Sequence, residues 1–399
     1  MRLGFHYHLP AYQKDGNMYI SGYLGRVWDS LAQRCDQLVC FCHTPLPHEM
    51  PLAQYKLQLP NVVFVDLGPH SSLPMRILSI PRVNRIVSDW RDKLDCMLLR
   101  GPTPLLPDIA AACKPLPVAM LLVGDQLAGI NDMPQSRARK EAIRLFWIIN
   151  NHRQLEIAKH SLTFVNSHLL FQQMKKSIPN LVETRTTTLS ETDFYEREDT
   201  CRQRPFHILY TGRMNRHKGI LDSLEAIATL VGQGMDLIFD LVGPEDKADP
   251  TLSNLLKRAE ELEIPDRVIF HGYKEAGPEL FDYYKKSDLY LIASQSSSEG
   301  FPRTIWEAMA HSLPVIATSV GSIPDFAGEA AEIIEPKNVN AIANAIRRVL
   351  NDPARRQYMI RTGRDLAREN TLENRSSEMI AILEDYVEKR KSDAGKTSN

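Results

Sequence analysis

Two carboxylates stand eight positions apart in Ser298-Glu299-Gly300-Phe301-Pro302-Arg303-Thr304-Ile305-Trp306-Glu307-Ala308-Met309-Ala310, one before a glycine and one inside the helical pattern that follows. Pro302 suits a first helical position, where a missing N–H costs nothing and a preset φ helps. The amides of Arg303 and Thr304 then stand at a helix N-terminus, which favours an anion. Eight residues make about 2.2 turns, so a phosphate at the helix start would lie between Glu299 on the loop and Glu307 one to two turns in. A second cluster is Tyr210-Thr211-Gly212-Arg213-Met214-Asn215-Arg216-His217-Lys218-Gly219. Gly212 permits a tight turn, Gly219 opens a helix, and Arg213 and Lys218 put two cations on one loop. Arginine holds a phosphate through paired hydrogen bonds and lysine acts as a point charge. Such a pair would neutralise a departing diphosphate; a solvated basic turn is the bland alternative, and the second phosphate-type segment weighs against it.

Both clusters need strand ends to hold them. Strand-like runs at Arg2–His6, Gln37–Cys42, Val62–Val65, Cys96–Leu99, Val118–Leu122 and Leu162–Val165 alternate with helical patterns at Tyr19–Gln33, Ser136–Lys159 and Leu169–Ser177. A second series has strands at His207–Thr211, Asp236–Val242, Val268–His271, Leu289–Ala293, Pro314–Thr318 and Ala331–Ile334. Helical patterns at Gly219–Val231, Thr251–Leu262, Pro278–Lys285, Pro302–Ala310, Val339–Asn351 and Pro353–Glu369 separate them. Strands alternating with helices predict parallel, doubly wound α/β sheets. The expected organisation is an N-terminal Rossmann-like domain over 1–190, a second over 205–370, a helix over 371–389 that packs on either domain, and a frayed tail over 390–399. The polar stretch Thr186–Arg204 reads as a linker. Ligands of such sheets bind beyond the carboxyl ends of the strands, where both clusters fall.

The chain has 399 residues, a size for two or three domains, with 43% hydrophobic and 24% charged residues and a net charge of −1. Residues 1–199 carry 22 basic and 19 acidic side chains and residues 200–399 carry 26 and 30, a split too small to imply nucleic-acid binding. No apolar run is long enough to span a bilayer, and the N-terminus lacks a leader pattern. The six cysteines show no ligand spacing; Cys40-x-Cys42 reads as two thiols on one strand face. A reducing cytoplasm fits, as does a place at the inner face of a membrane. Ser136–Lys159 joins Arg137, Arg139, Lys140 and Arg144 to Phe146-Trp147-Ile148-Ile149. It reads either as a helix packed on the first sheet or as a peripheral membrane contact.

Gly212-Arg213…Lys218-Gly219, together with Glu299-Gly300-Phe301-Pro302…Glu307-Ala308-Met309-Ala310 and the continuation Leu313-Pro314-Val315-Ile316-Ala317-Thr318-Ser319-Val320-Gly321-Ser322-Ile323-Pro324, resembles the family-4 retaining glycosyltransferases. The likeness covers roughly residues 205–370. It implies the GT-B fold, α/β with two Rossmann-like doubly wound domains facing a central cleft. It also implies transfer of a sugar from a nucleoside-diphosphate sugar, with UDP or GDP as carrier, to a hydroxyl of a glycan, lipid-linked glycan or small molecule. Arg213 and Lys218 would contact the diphosphate, Glu299 the donor sugar and its charged transition state, and Glu307 the ribose. Gly300, Phe301, Pro302, Arg303 and Thr304 would line the phosphate and sugar. His271 and Tyr273 would meet the base. Gly16-Asn17 resembles the family's glycine loop, which more often has two adjacent glycines.

Many relatives place a histidine after a middle strand of the first domain; here Gly124-Asp125-Gln126 stands there. Asp125, His6 and His8 are the remaining candidates for acceptor or sugar contact. No Asp-x-Asp pair occurs, so no metal and no cofactor are expected, with Arg213, Lys218 and helix amides supplying the positive charge. The implied mechanism is front-face attack with retention, the leaving phosphate oxygen taking the proton. Alternatives on the same fold are a glycoside phosphorylase or a sugar-nucleotide epimerase. A non-catalytic sugar-nucleotide-binding subunit is the rival of another kind.

Overall fold

The computed structural model describes residues 1–124, 130, 136–245, 249–296 and 300–397. The chain divides into two compact units, Met1–Thr186 with Leu372–Asn399, and Thr187–Thr371.

The first unit carries strands β1 (Arg2–Pro10), β2 (Tyr12–Lys14), β3 (Asn17–Ile20), β4 (Gln37–Thr44), β5 (Tyr55–Lys56), β6 (Val62–Pro69), β7 (Cys96–Gly101), β8 (Val118–Leu122), β9 (Leu162–Val165) and β10 (Leu181–Glu183). Its helices are α1 (Gly22–Ala32), α2 (Leu73–Leu78), α3 (Ile80–Arg91), α4 (Leu106–Ala112), α5 (Arg137–Ala158) and α6 (His168–Met174). Seven strands form a parallel sheet in the order β10-β9-β8-β7-β1-β4-β6. The chain builds outward from β1 to β6 and then restarts at β7 on the other side, so the order reverses between β1 and β7. Both faces are covered, which is why the strands read as continuous apolar runs. In β4, Leu38, Cys40 and Cys42 enter one core while Val39 and Phe41 enter the other. Cys40 and Cys42 are thus buried free thiols, held well above their ordinary pKa by burial.

Helix α14 (Leu372–Thr397) returns to this unit and packs on α1, with Ile380, Leu383, Tyr386 and Val387 in the core beside Leu24, Trp28 and Leu31. Ser30 Oγ donates to the Leu372 carbonyl at 3.0 Å, and Tyr386 Oη to that of Val118 at 3.2 Å. The sequence pattern did not indicate a small antiparallel sheet of β2, β3 and β5, and Tyr19, expected to open a helix, lies in β3 while α1 starts at Gly22. Asp15-Gly16, both at positive φ (50° and 75°), makes the two-residue turn between β2 and β3 that an Asp-Gly pair favours.

The second unit carries β11 (Phe206–Thr211), β12 (Leu237–Val242), β13 (Val268–Phe270), β14 (Leu289–Ile292), β15 (Val315–Thr318) and β16 (Ala331–Ile334). Between and after them run α7 (Ile220–Gly232), α8 (Thr251–Glu261), α9 (Pro278–Lys286), α10 (Arg303–Ala310), α11 (Ile323–Ala327), α12 (Val339–Asn351) and α13 (Pro353–Glu369). The sheet is parallel in the order β13-β12-β11-β14-β15-β16, reversing between β11 and β14. α12 shows why these helices form: Ile342, Ala345, Ile346, Val349 and Leu350 make one buried stripe at helical spacing, and Asn338 Oδ1 caps the Ala341 amide at 2.9 Å.

The stretch expected as a linker is instead a strap belonging to the second unit. Thr187, Thr188, Leu189 and Thr200 are buried. Arg197 donates to the carbonyls of Tyr284, Lys285 and Ser287, filling the acceptors that α9 leaves open at its C-terminal end. Asp199 pairs with Arg356 at 2.8 Å. Its polar composition reflects this service to carbonyls and ions rather than exposure.

Candidate active site

The two sequence clusters follow β11 and β14, the neighbouring strands where the second sheet reverses. A loop leaving each in opposite directions opens a crevice at such a point, the usual ligand position in these sheets.

The loop after β11 is built on close backbone approach. Tyr210 Oη donates to the Arg213 carbonyl at 2.9 Å, and the Gly212 amide to that of Val242 at 2.9 Å. A Cβ on Gly243 would lie 1.9 Å from the Gly212 carbonyl, so the loops after β11 and β12 touch only because glycine stands there. Asn215 Oδ1 then accepts from the His217 amide at 3.0 Å and caps a short turn over Arg216–Lys218. Gly219 (φ 65°) closes it, and a Cβ there would stand 1.9 Å from the Ala293 carbonyl just past β14. The Gln295 amide donates to the His217 carbonyl at 2.8 Å. The two loops are therefore fixed to each other, with the exposed Arg213 and half-buried Lys218 on the first.

Helix α10 starts one residue later than the sequence suggested. Pro302 is its N-cap, with φ −66° and ψ 120°, rather than its first helical residue, and it offers no side-chain cap. Phe301 turns inward, 4.2 Å from the Trp306 ring and 5.6 Å from that of Phe326. This is the staple between the residue before a helix and its fourth position, and it fixes the angle at which the loop enters. The Phe301 side chain is thus half-buried against the core of this unit. Gly300 has open space where a Cβ would stand. Arg303 and Thr304 form the first turn.

Glu307 is 5% exposed. Its Oε1 accepts from Thr188 Oγ1 at 3.0 Å and its Oε2 from Tyr284 Oη at 2.8 Å. Since a carboxylate only accepts, Tyr284 spends its proton on Glu307, and Thr211 Oγ1 at 2.7 Å donates to Tyr284 Oη. Tyr290 Oη lies 3.2 Å from Thr211 Oγ1 and 2.6 Å from Thr304 Oγ1. A buried hydroxyl relay thus joins the strap, α10, α9 and both switch-point strands. Burial, and then the Glu307 charge, push the Tyr284 phenol well above its ordinary pKa. The spacing of the glutamates does not disclose this; the relay draws on residues from five separate segments.

His271 and Tyr273 differ in availability. His271 Nε2 lies 2.7 Å from Asp240 Oδ1, and His207 Nδ1 2.7 Å from Asp240 Oδ2, so the buried aspartate bridges two imidazoles. The His271 ring also packs 4.6 Å from Tyr283. Tyr273 is 59% exposed. Burial and the neighbouring Glu275 raise its phenol, partly offset by Arg303, which places it near the start of α10. Glu299 and Asp125 lie outside the described residues.

In the first unit, Gly16 and Asn17 belong to the hairpin turn, Asn17 Nδ2 donating to the Asp15 carbonyl at 3.0 Å. That turn explains the glycine without a ligand. His6 is buried with Nδ1 2.9 Å from the Phe41 carbonyl. His8 stands beyond it toward the carboxyl end of β1, beside two imidazoles that spacing did not reveal, His43 and His70. A cavity of about 840 Å3 bounded by Pro115, Val118, Tyr386 and Arg390 lies at the amino ends of the first sheet's strands. Among the described residues no group of three or more His, Cys, Asp or Glu is placed to hold a metal ion.

Residues 192–366 match the family of glycosyl transferases group 1. Curated relatives include the N-acetyl-alpha-D-glucosaminyl L-malate synthase of Bacillus anthracis, 26% identical over 243 residues, which are 58% of this chain and 60% of that protein. The O-antigen chain mannosyltransferase B of Escherichia coli is 29% identical over 44% of each chain. The chain thus aligns with less than two thirds of the length of these relatives. Among solved structures, a sucrose-phosphate synthase from Thermosynechococcus elongatus superposes with a TM-score of 0.69 over 96% of this chain and 98% of its own, at 18% identity. Anabaena HepE in complex with UDP superposes with 0.70 over 96% and 100%, at 14% identity. The architecture is that of the GT-B glycosyltransferases among which these structures fall.

Proposed function

We propose that this chain, whose residues 192–366 match the family of glycosyl transferases group 1, transfers a sugar from a nucleoside-diphosphate sugar to an acceptor hydroxyl. The observation that carries the reading is the mutual locking of the two switch-point loops through Gly219 and Ala293, which holds Arg213, Lys218 and the start of α10 on one strand edge. Arg213 and Lys218 neutralise the charge that develops on the leaving diphosphate, and the first-turn amides of α10 add fixed positive potential. Glu299 supports the donor sugar. Glu307 has lone pairs to spare beyond Thr188 and Tyr284, and a ribose takes these. Tyr273 covers the base. The positive charge comes from the chain, so the transfer runs without a metal ion. The acceptor attacks from the face the diphosphate leaves, the configuration is retained, and the leaving oxygen takes the proton.

The six cysteines are all unpaired, which suits a reducing compartment such as the cytoplasm. No helix among the described residues is long and apolar enough to cross a membrane. α5, however, leaves Leu145, Ile148 and Ile149 about half exposed beside the exposed Arg137 and Arg139, while Trp147, Asn150 and Gln154 face inward. We read this face as a peripheral contact with an anionic bilayer.

The test is donor hydrolysis. UDP- and GDP-sugars are incubated with the whole chain and released nucleoside diphosphate is measured. The wild type releases it slowly, and Arg213→Ala and Lys218→Ala each lower the rate by about 100-fold, as loss of one transition-state charge partner does. Equal rates in all three overturn the reading. Release of sugar phosphate only when orthophosphate is added identifies a phosphorylase instead, and binding without any release identifies a non-catalytic subunit.

A further inference from the structure

The cavity in the first unit lies outside the groups assigned to sugar transfer. Its volume of about 840 Å3 falls among those of small-molecule sites, roughly 300–1,000 Å3. It sits at the amino ends of β7, β8 and β9, bounded by Asp95 just before β7, Pro117 before β8 and Ser161 before β9. Helix α4, the C-terminal end of α5 and helix α14 close its other sides. Parallel sheets open their ligand crevices at the carboxyl ends, so the topology alone does not create a space here. Protein interiors pack as tightly as organic crystals, and few voids exceed a water molecule.

The wall is apolar and preformed. Pro107, Pro115 and Pro117 supply three rings with no N–H and with fixed φ, so this side offers no backbone donor and is rigid before anything enters. Ala110 and Ala111 on α4 are too small to fill the space, and Ile157 on α5 faces it as well. Tyr386 on α14 is 8% exposed, and its hydroxyl proton is spent on the Val118 carbonyl at 3.2 Å. It offers the cavity a ring rather than a free donor.

The charges of the lining do not cancel. Both of its carboxylates are taken: Asp95 accepts the Arg2 amide at 2.7 Å and stands 4.0 Å from Lys391 Nζ, and Glu156 pairs with Lys159 at 2.6 Å. Two exposed cations are left without a carboxylate among the described residues, Lys114 and Arg390. The Arg390 guanidinium lies over the Tyr386 ring, 5.4 Å from its centroid, and donates to the His160 carbonyl, which anchors it at the rim. An apolar space with a cationic rim is complementary to an apolar body that ends in an anion.

We propose that this cavity binds a small amphipathic anion, an apolar chain or ring bearing one carboxylate. Its body lies against the proline wall and its carboxylate turns to the rim cations Lys114 and Arg390, which line this same cavity. The site goes beyond the transferase reading and does not depend on it.

The experiment uses the whole chain and sodium decanoate, with decanol and decyltrimethylammonium bromide as neutral and cationic probes of equal chain length, all below their micelle concentrations. Binding is followed by isothermal titration calorimetry for the wild type, Ala111→Trp, Lys114→Glu and a variant with Leu145, Ile148 and Ile149 replaced by serine, each checked for folding by far-ultraviolet circular dichroism. The expected result is saturable binding of decanoate by the wild type, about fivefold or more tighter than decanol and tighter still than the cation. Ala111→Trp fills the space and abolishes binding of decanoate. Lys114→Glu weakens decanoate about fivefold or more and leaves decanol unchanged. The serine variant binds as the wild type does. Absence of saturable binding, equal affinity for the three probes, or decanoate binding unchanged in both Ala111→Trp and Lys114→Glu overturns the site. Loss confined to the serine variant also overturns it, since the probe then adsorbs on the outward face of α5. Should Ala111→Trp not fold, the change of charge preference in Lys114→Glu decides alone.

Discussion

Tyr284 Oη donates to Glu307 Oε2 across 2.8 Å, in a place where the carboxylate is almost wholly out of water. A buried carboxylate is stable only when its oxygens are bonded, and here one of two partners is a phenol that also receives Thr211. Tyr284→Phe deletes that donor and leaves Thr188 alone. The expected cost is about 1–3 kcal/mol of unfolding free energy, read from urea denaturation, together with weaker nucleoside-diphosphate binding. Thr188→Val should cost a similar amount from the other oxygen. Stability equal to wild type in Tyr284→Phe would show that Glu307 does not depend on the relay.

Gly219 and Ala293 make a backbone contact that no other residue type permits. At φ 65° an L side chain costs about 1–2 kcal/mol, and the Ala293 carbonyl, 1.9 Å from the built Cβ, cannot rotate aside as a side chain would. Gly219→Ala should therefore destabilise by more than about 2 kcal/mol and, by parting the loops after β11 and β14, slow donor hydrolysis beyond what the stability loss explains. Gly232→Ala, where a Cβ meets open space within α7, is the control and should be neutral or slightly stabilising.

These contacts mark what the sequence discloses and what it does not. The strands of both large sheets are legible because each is an apolar run between helical patterns, and α12 and α13 are legible to the residue because Asn338, Asp352 and Pro353 announce their starts. The cationic cluster is legible because Gly212 directly follows its strand. Asp15-Gly16 is a readable hairpin signal, overlooked because a glycine near a first strand invites a phosphate reading. The strap over 187–204 misleads because Arg197 and Asp199 look solvated until their partners, far away in sequence, are known. The relay through Thr188, Thr211, Tyr284 and Tyr290 has no spacing to read, since parallel β-topology brings these residues together from distant segments.

The outward face of α5 predicts a change in surface behaviour without a change in fold. Replacing Leu145, Ile148 and Ile149 together by serine removes three half-exposed apolar side chains and leaves the buried Trp147, Asn150 and Gln154 untouched. Unfolding free energy should move by less than about 1 kcal/mol. Co-sedimentation with vesicles of phosphatidylglycerol and phosphatidylcholine should fall several-fold, and Arg137→Gln with Arg139→Gln should lower it only on the anionic vesicles. Equal sedimentation of wild type and triple variant would remove the membrane contact.

Acid stability tests the buried imidazoles with a definite sign. His6 is 1% exposed; burial, opposed by the Phe41 carbonyl and reinforced by His8 and Arg76, brings its pKa down to about 4. Its unfolded value is near 6.5, so the unfolded chain takes up a proton first. The stabilisation from a neutral His6 is thus complete above about pH 6.5 and is lost as pH falls through about 4. His8, at about 4, and His43, at about 3, act in the same direction. His207 is opposite: its hydrogen bond to Asp240 raises its pKa, so its contribution is full below about pH 6.5 and fades as pH rises through the folded value. Urea midpoints should therefore drop from pH 6.5 to 4 in the wild type and drop less steeply in His6→Asn, whose amide can still donate to Phe41. His207→Gln should leave that acid slope unchanged and abolish only a shallow decline above pH 6.5. An acid slope in His6→Asn as steep as in the wild type would show that His6 is not held neutral by its burial.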